Sequence, residues 1–233
     1  MFRLFAATAD WLRDSLGERC IACEARPAPG GLCEGCRGDI RRLDPSCCPH
    51  CALPGPAGVP CGRCQSATPH YDGVAAGAVF GYPLDAMVRA LKYSGDIAVA
   101  RALASVLADR LPGEPEPDAV IAMPLSDARQ ASRGFNQSWE IARQLPLRWS
   151  SRLRPGLDRI EDTPAQAGLS LEERRRNVKN AFRASADLRG CRVAVVDDVM
   201  TSGATLDAAA RALKEAGAAE VRGWIVARAL REG

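Results

Sequence analysis

Four Cys-x-x-Cys pairs crowd the first third of the chain and restrict what it can fold into. They are Cys20/Cys23, Cys33/Cys36, Cys48/Cys51 and Cys61/Cys64. In each half, nine residues rich in proline and glycine separate one pair from the next. A Cys-x-x-Cys turn aims two thiolates at one ion, and two such turns complete a tetrahedral four-sulfur site. The spacing therefore predicts two structural zinc sites in a double zinc ribbon.

The spacing leaves several points open. The ligands can be paired in sequence, first four and last four, or crossed between the halves, and one of the two sites can be left unloaded. The alternative to zinc binding is a disulfide framework, which is less favoured because no secretory signal accompanies the cysteines. Cys47 lies one residue too far from Cys51 for the repeat, so Cys48 is the expected ligand. His50 is expected in a loop, and Cys191 is expected as a small core residue.

The N-terminus and the ribbon set the expected domain boundaries. Asp10, Arg13 and Asp14 interrupt the first apolar stretch before a secretory core is complete, and no stretch is long enough to span a bilayer. We therefore expect a cytoplasmic protein with an amphipathic helix over 1–18. A zinc ribbon follows over 19–69, and metal supplies its folding energy because so small a module buries little core. Residues 70–233 form the larger domain.

Beyond Cys64, apolar segments of strand length alternate with helical patterns. The predicted elements are a strand over 73–82, two helices within 83–110 that "LKYSGD" separates, an apolar run over 119–126, a helix to about 144, a strand over 192–198, a helix over 205–216 that Gly217 ends and a strand over 220–230. Fully apolar strands that alternate with helices predict an α/β fold, a mainly parallel sheet with helices on both faces. Ligands of such sheets bind at the carboxyl ends of the strands.

One such end carries the stretch "AVVDDVMTSGATL", residues 194–206. Asp197 and Asp198 are good acceptors for the vicinal hydroxyls of a ribose. The backbone amides and hydroxyls of Thr201–Thr205, at the positive end of the following helix, suit a phosphate. The chain has neither the Gly-Lys-Ser/Thr of a nucleotide-triphosphate loop nor a G-x-G-x-x-G after a strand. The stretch therefore predicts a site for a 5-phosphorylated ribose.

"VVDDVMTSGAT" resembles the phosphoribosyl-pyrophosphate (PRPP) signature of type I phosphoribosyltransferases. Nearly the whole chain resembles the ComF/GntX family of DNA-uptake and DNA-utilisation proteins. The resemblance rests on the four cysteine pairs, "LKYSGD", "RGFNQS" at 133–138, "DTPAQAGLSLEERRRNVKNAF" at 162–182 and the signature. It implies a type I phosphoribosyltransferase-like parallel sheet over 70–233, preceded by the small zinc-ribbon module.

The resemblance also implies residue roles. It assigns the ribose hydroxyls to Asp197 and Asp198. It assigns the 5-phosphate to Thr201, Ser202, Gly203, Ala204 and Thr205. The pyrophosphate of PRPP, bound with Mg²⁺, would lie against the loop after Met123-Pro124 with Arg129 and Arg133 as charge partners. Lys92 and Arg174–Arg176 are further candidates.

Residues 158–181 are polar and unusually long for a connection, and we expect them to form a lid over the site. Ser170 and Glu173 are spaced as a capping box that starts a helix there. Residues 126–183 include twelve basic and seven acidic residues, an excess of positive charge that suits binding of a polyanion.

Two functions fit these features. One is a phosphoribosyltransferase, a glycosyltransferase of unknown acceptor that works in DNA uptake, natural transformation or DNA utilisation. The other is a non-catalytic adaptor of the DNA-uptake machinery that senses PRPP or binds single-stranded DNA and contacts a partner helicase. No nucleobase pocket or general base is recognisable, so catalytic residues remain unassigned.

Overall fold

A computed structural model describes residues 19–26, 28–44, 46–160 and 181–230. The predicted helix over 1–18 and the lid features at Ser170, Glu173 and Arg174–Arg176 lie outside these residues. The helices, numbered along the described residues, are α1 (Glu34–Gly38), α2 (Gly62–Ser66), α3 (Leu84–Ser94), α4 (Val99–Ala108), α5 (Asp127–Arg133), α6 (Gln137–Arg143), α7 (Leu147–Ser150) and α8 (Ala204–Glu215). The strands are β1 (Gly73–Val79), β2 (Ala119–Ala122), β3 (Leu157–Arg159), β4 (Phe182–Ala184), β5 (Arg192–Met200) and β6 (Glu220–Arg228).

Four of these strands form one parallel sheet in the order β1-β6-β5-β2. Side chains alternate between its two faces. Along β5, Ala194 and Val196 pack into one core cluster, and Val193 and Val195 pack into the other. The first cluster contains residues of α3, α4 and α6, and the second contains residues of α8. The predicted parallel sheet with helices on both faces is confirmed. No helix among the described residues is long and apolar enough to cross a membrane.

The two halves of the zinc ribbon belong to different core clusters. Cys20, Leu32 and Ile40 of the first half are buried against α4 and its neighbours. Cys48 and Cys64 of the second half are buried in the cluster that contains α8. The two halves therefore lie on opposite faces of the sheet, and each covers part of the core of the larger domain.

Left-handed glycines divide the helical regions. Gly95 ends α3 with φ 67°, which confirms the predicted break at "LKYSGD". The single helix predicted after the 119–126 run is wrong, because Gly134, with φ 79°, ends α5. The side chain of Asn136 then accepts from the amides of Ser138 and Trp139 and starts α6.

The strand that carries the two carboxylates is longer than predicted. Its expected end was Asp198, but β5 continues to Met200 because β6 pairs with it as far as Met200 and Arg228. On the other side, β2 ends at Ala122, opposite Val196. Asp197 and Asp198 therefore lie beyond the end of one neighbouring strand while the other still holds their backbone.

A short antiparallel pair, β3 with β4, was not predicted. Three-residue strands are too short to show a period in the sequence. The Ile160 amide donates to the Ala181 carbonyl over 2.8 Å, so the pairing brings residues 160 and 181 to adjacent positions.

Candidate functional site

The eight predicted zinc ligands form two groups, paired in sequence rather than crossed. The first group is Cys20, Cys23, Cys33 and Cys36, and the second is Cys48, Cys51, Cys61 and Cys64. Within each group all sulfur atoms lie within 4.8 Å of one another. One pair in each group is 3.6 Å apart, Cys23–Cys33 and Cys51–Cys61. A tetrahedral ion with Zn–S bonds of about 2.3 Å requires about 3.8 Å between sulfurs. Both groups therefore fit structural zinc, and Cys47 belongs to neither.

Backbone amides favour the thiolate form at one sulfur of the second group, that of Cys48. Burial raises the pKa of the Cys48 thiol, but hydrogen bonds from the backbone N–H groups of Cys61, Cys51 and His50 outweigh it and lower that pKa to about 6. The Cys61 amide lies 3.3 Å from the Cys48 sulfur. Thiolate is the form that binds zinc, so the fold favours the metal-binding state at this sulfur before an ion arrives.

The carboxylate pair stands at the carboxyl edge of the sheet with two partners from other helices. Lys92, on α3, forms an ion pair with the Asp198 carboxylate, which is 3% exposed. Ser138, on α6, donates its hydroxyl to Asp197 Oδ1 over 3.0 Å. The amide of Asp198 donates to the same Oδ1 over 3.0 Å. Each carboxylate is thus held by two groups and keeps acceptor capacity for a ligand.

This arrangement raises the pKa of the Asp197 carboxyl above its usual range. Burial, followed by the adjacent Asp198 carboxylate, raises the pKa of Asp197 to about 7, against the opposing effect of Lys92. Two neighbouring carboxylates in a partly dry site resist simultaneous ionisation. Groups so perturbed are typical of functional sites.

The loop after β5 leads directly into α8, a helix of twelve residues. Gly203 is the N-cap with φ 82°, and a side chain there would meet Met200 Cε at 2.6 Å and the Tyr71 hydroxyl at 3.0 Å. Only glycine fits this turn. The Ser202 hydroxyl accepts from the Ala204 amide over 3.3 Å. The positive end of the α8 dipole lies at this loop, next to the carboxylates along the chain.

Of the two predicted arginines, Arg133 is the one that the structure connects to this region. Its guanidinium lies 5.8 Å from the ring of Tyr93, the residue after Lys92, and it donates to Gln137 Oε1. Arg129 lies on the same helix, α5, one turn earlier and half-buried. Within the described residues, neither arginine contacts the carboxylate pair.

Two residues of the site were not assigned roles from the sequence. Ser138 binds Asp197, and Asn136 donates its amide to the Met123 carbonyl over 3.0 Å, which ties the loop after β2 to the start of α6. Both lie in "RGFNQS", so the motif was the available signal. Ser126, in the loop after β2, buries its hydroxyl, and that oxygen has no hydrogen-bond partner among the described residues.

The fold and the site define a class, a phosphoribosyltransferase domain that carries a double zinc ribbon. Residues 97–231 match the family model described as "Phosphoribosyl transferase domain", and residues 12–65 match "Double zinc ribbon domain". The chain belongs to the ComF family, as its relatives show.

The chain is 36% identical to "DNA utilization protein YhgH" of Escherichia coli O6:H1, over 91% of this chain and 97% of that protein. It is 33% identical to "Competence protein F" of Haemophilus influenzae, with the same two coverages. It is 27% identical to "Competence protein ComFC" of Streptococcus pneumoniae, over 84% of this chain and 87% of that protein.

The cysteine geometry predicts two zinc ions per chain. Cys33→Ser and Cys61→Ser each break one four-sulfur group, so each variant is expected to retain one ion. Cys47→Ser is the matched control and is expected to retain both. Metal content measured by mass spectrometry on protein purified under reducing conditions checks this. Loss of zinc in Cys47→Ser, or full zinc in Cys61→Ser, would contradict the ligand assignment.

The raised pKa predicts how stability depends on pH. From about pH 4, where an unfolded aspartate ionises, to pH 7, the folded chain holds a proton on Asp197 that the unfolded chain has released. The free energy of unfolding therefore falls as pH rises through this window. Asp197→Asn removes the ionisation, so we expect the variant to be more stable than the wild type at pH 8, with the gap shrinking towards pH 5.

Urea unfolding of both proteins across this range measures the effect. Asp187→Asn is the control, because hydrogen bonds from Arg189 lower the pKa of that exposed carboxyl. Removing this carboxylate is expected to change stability in the opposite direction to Asp197→Asn. A gap between Asp197→Asn and wild type that does not change with pH would show that Asp197 does not titrate as described.

Proposed function

We propose that the protein binds PRPP, a ribose 5-phosphate that carries pyrophosphate at carbon 1, together with Mg²⁺. The proposal rests on one observation. Three residues after the neighbouring carboxylates of Asp197 and Asp198, a loop begins that ends at Gly203, the N-cap of α8. Carboxylates accept from vicinal hydroxyls and repel phosphate, whereas helix N-terminal amides attract it. A ligand with a diol at one end and a phosphate at the other satisfies both.

The groups around the pair support this use. In this proposal, Lys92 balances one of the two negative charges, and Ser138 orients Asp197 so that its remaining lone pairs face the ligand. The raised pKa of Asp197 reflects a carboxylate that is buried next to a second carboxylate. Ribose hydroxyls would donate to it and restore the hydrogen bonds that burial removes.

The pyrophosphate end has a candidate position at the loop after β2. The buried Ser126 hydroxyl has no partner among the described residues and suits a phosphate oxygen as acceptor. Arg129 and Arg133 on the following helix supply positive charge. Mg²⁺ prefers oxygen ligands and accompanies substrate phosphates, so Asp197 or Asp198 would be the protein's contribution to holding it. The ion would neutralise charge on the leaving group.

The cellular role in the proposal follows the names of the relatives. Proteins called DNA utilization protein and competence protein match nearly the full chain, and we propose that this protein acts in DNA uptake, natural transformation or DNA utilisation. A cytoplasmic location fits eight cysteines held reduced for zinc. We also propose that the zinc ribbon spans residues 19–69 and that the larger domain spans residues 70–233.

Calorimetry with PRPP and Mg²⁺ tests the site. The double variant Asp197→Asn/Asp198→Asn keeps the size of both side chains but loses their charge, and hydrogen bonds to charged groups contribute about 1.5–3 kcal/mol. We therefore expect PRPP affinity to fall at least tenfold. Asp187→Asn, a surface carboxylate paired with Arg189, is the control and should bind like wild type. Equal affinity in wild type and the double variant would reject the site.

The same samples separate an enzyme from a binding adaptor. Pyrophosphate release from bound PRPP on addition of nucleobases, amines or other nucleophiles identifies a transferase and its acceptor class. Tight PRPP binding without release across these acceptors identifies the adaptor. In either case stabilisation of the leaving group and positioning of the ribose are what the site can supply.

A further inference from the structure

The second half of the zinc ribbon directly contacts residues 201–203, the loop before α8 that the proposed function assigns to the 5-phosphate and that we call the phosphate loop. Arg63 lies on α2, between the zinc ligands Cys61 and Cys64. Its Nη2 donates to the backbone carbonyl of Ser202 over 2.7 Å. The contact joins residues 139 positions apart in the sequence, in the middle of the loop that precedes α8.

A second guanidinium, from the parallel sheet, holds the same loop and also bonds to the second half of the ribbon. Arg228, at the end of β6, is 0% exposed and donates to the carbonyl of Cys51, a ligand of the same zinc group. Its Nη1 donates to the carbonyls of Met200 and Thr201 over 2.8 and 2.6 Å. Arg228 and Arg63 thus bind the carbonyls of three successive residues, 200 to 202.

These bonds fix the direction of the loop amides. In a planar trans peptide the C=O and N–H bonds point in opposite directions. The three carbonyls belong to the peptide units that carry the amides of Thr201, Ser202 and Gly203. Arg63 and Arg228 therefore turn those three amides away from their two guanidinium groups, and no backbone carbonyl of the described residues accepts from them. Successive amides that point one way form an anion-binding concavity.

A cavity borders the contact between Arg63 and the loop. It lies between the ribbon and the loop, has a volume of about 290 Å³ and is lined by Arg63, Tyr71, Gly203, Asp207 and others. Arg63 and the loop thus both line a space that the protein leaves unfilled, and the hydrogen bond from Arg63 joins its two sides directly.

We propose that the second zinc ribbon is part of the ribose-phosphate site, with Arg63 as a positioning residue that holds the phosphate loop in its binding conformation. The proposal rests on the proposed function, because it assigns a role toward the same 5-phosphate. Cys61 and Cys64 flank Arg63, and a zinc ion bound by them would hold this helix, and with it Arg63, in place. Its positive charge behind the loop also favours an anion in front of it.

The first zinc ribbon supplies a matched comparison. Arg37, beside the zinc ligand Cys36, donates to the Asp109 carboxylate over 2.8 Å and to the Ser105 hydroxyl over 3.1 Å. It fastens the first half to α4 and its C-terminal end, on the face of the sheet opposite α8. Arg37 and Arg63 thus each tie one half of the ribbon to the larger domain, but only Arg63 bonds to the phosphate loop.

The experiment measures two ligands on full-length protein. Ribose 5-phosphate reports on the loop, and pyrophosphate with Mg²⁺ reports on the other end of the site. Arg63→Ala loses a charge-assisted hydrogen bond, so we expect about tenfold weaker binding of ribose 5-phosphate and unchanged binding of pyrophosphate. Arg63→Lys keeps the charge and one donor and should restore most of the loss. Arg37→Ala should bind both ligands like wild type.

Zinc content and urea unfolding show that each variant is folded and holds two ions. If wild type fails to bind ribose 5-phosphate, the proposed function itself is wrong. If wild type binds and Arg63→Ala binds equally well, the positioning role alone is wrong. Equal losses for both ligands in Arg63→Ala, or equal losses in Arg63→Ala and Arg37→Ala, also overturn it, because they indicate a general effect on the domain.

Discussion

The rest of the structure depends on one buried cation, Arg228. Its guanidinium joins four carbonyls that belong to the second zinc group, the end of β5, the first residue of the phosphate loop and the end of β6. A buried arginine is costly unless its donors are bonded, and burial accordingly lowers its pKa. Carbonyl groups at the ends of strands and in loops are suitable partners. These bonds from Nε and Nη1 offset part of the cost of burying the charge, and they also fix the ribbon, the sheet edge and the loop relative to one another.

The carboxylate pair, in contrast, introduces repulsion into the folded chain. Asp197 and Asp198 place two like charges on a strand that is otherwise apolar, and the pKa of Asp197 shows that the folded chain resists ionising both. Lys92 and Ser138 offset part of the repulsion from two separate helices. A site that stores unfavourable charge is stabilised when a ligand supplies the missing donors, so stability and function oppose each other at these two residues.

Much of this follows from local sequence patterns. Metal spacing identified the eight ligands and separated Cys48 from Cys47, because a tetrahedral ion requires close pairs of thiolates. Apolar runs and glycines located the strands of the parallel sheet and the break after α3. Pairing of the zinc ligands could not be predicted, since both pairings satisfy the same spacing. The continuous helix and the short β5 were wrong because a left-handed Gly134 and pairing with β6 are decided by tertiary context. The bond from Arg63 to Ser202 could not be predicted, because it depends on the placement of two modules far apart in the chain.

The central claim is that the carboxylates hold ribose hydroxyls. The most direct test compares how tightly ribose 5-phosphate and 2-deoxyribose 5-phosphate bind to wild type and to Asp197→Asn/Asp198→Asn. The deoxy sugar lacks a hydroxyl donor, and the double variant lacks the carboxylates that would accept from it. We expect wild type to prefer ribose 5-phosphate by about tenfold, as for one hydrogen bond to a charged group. The double variant should bind the two sugars nearly equally. A preference of the same size in both proteins would contradict the account, because the hydroxyl would then be recognised elsewhere.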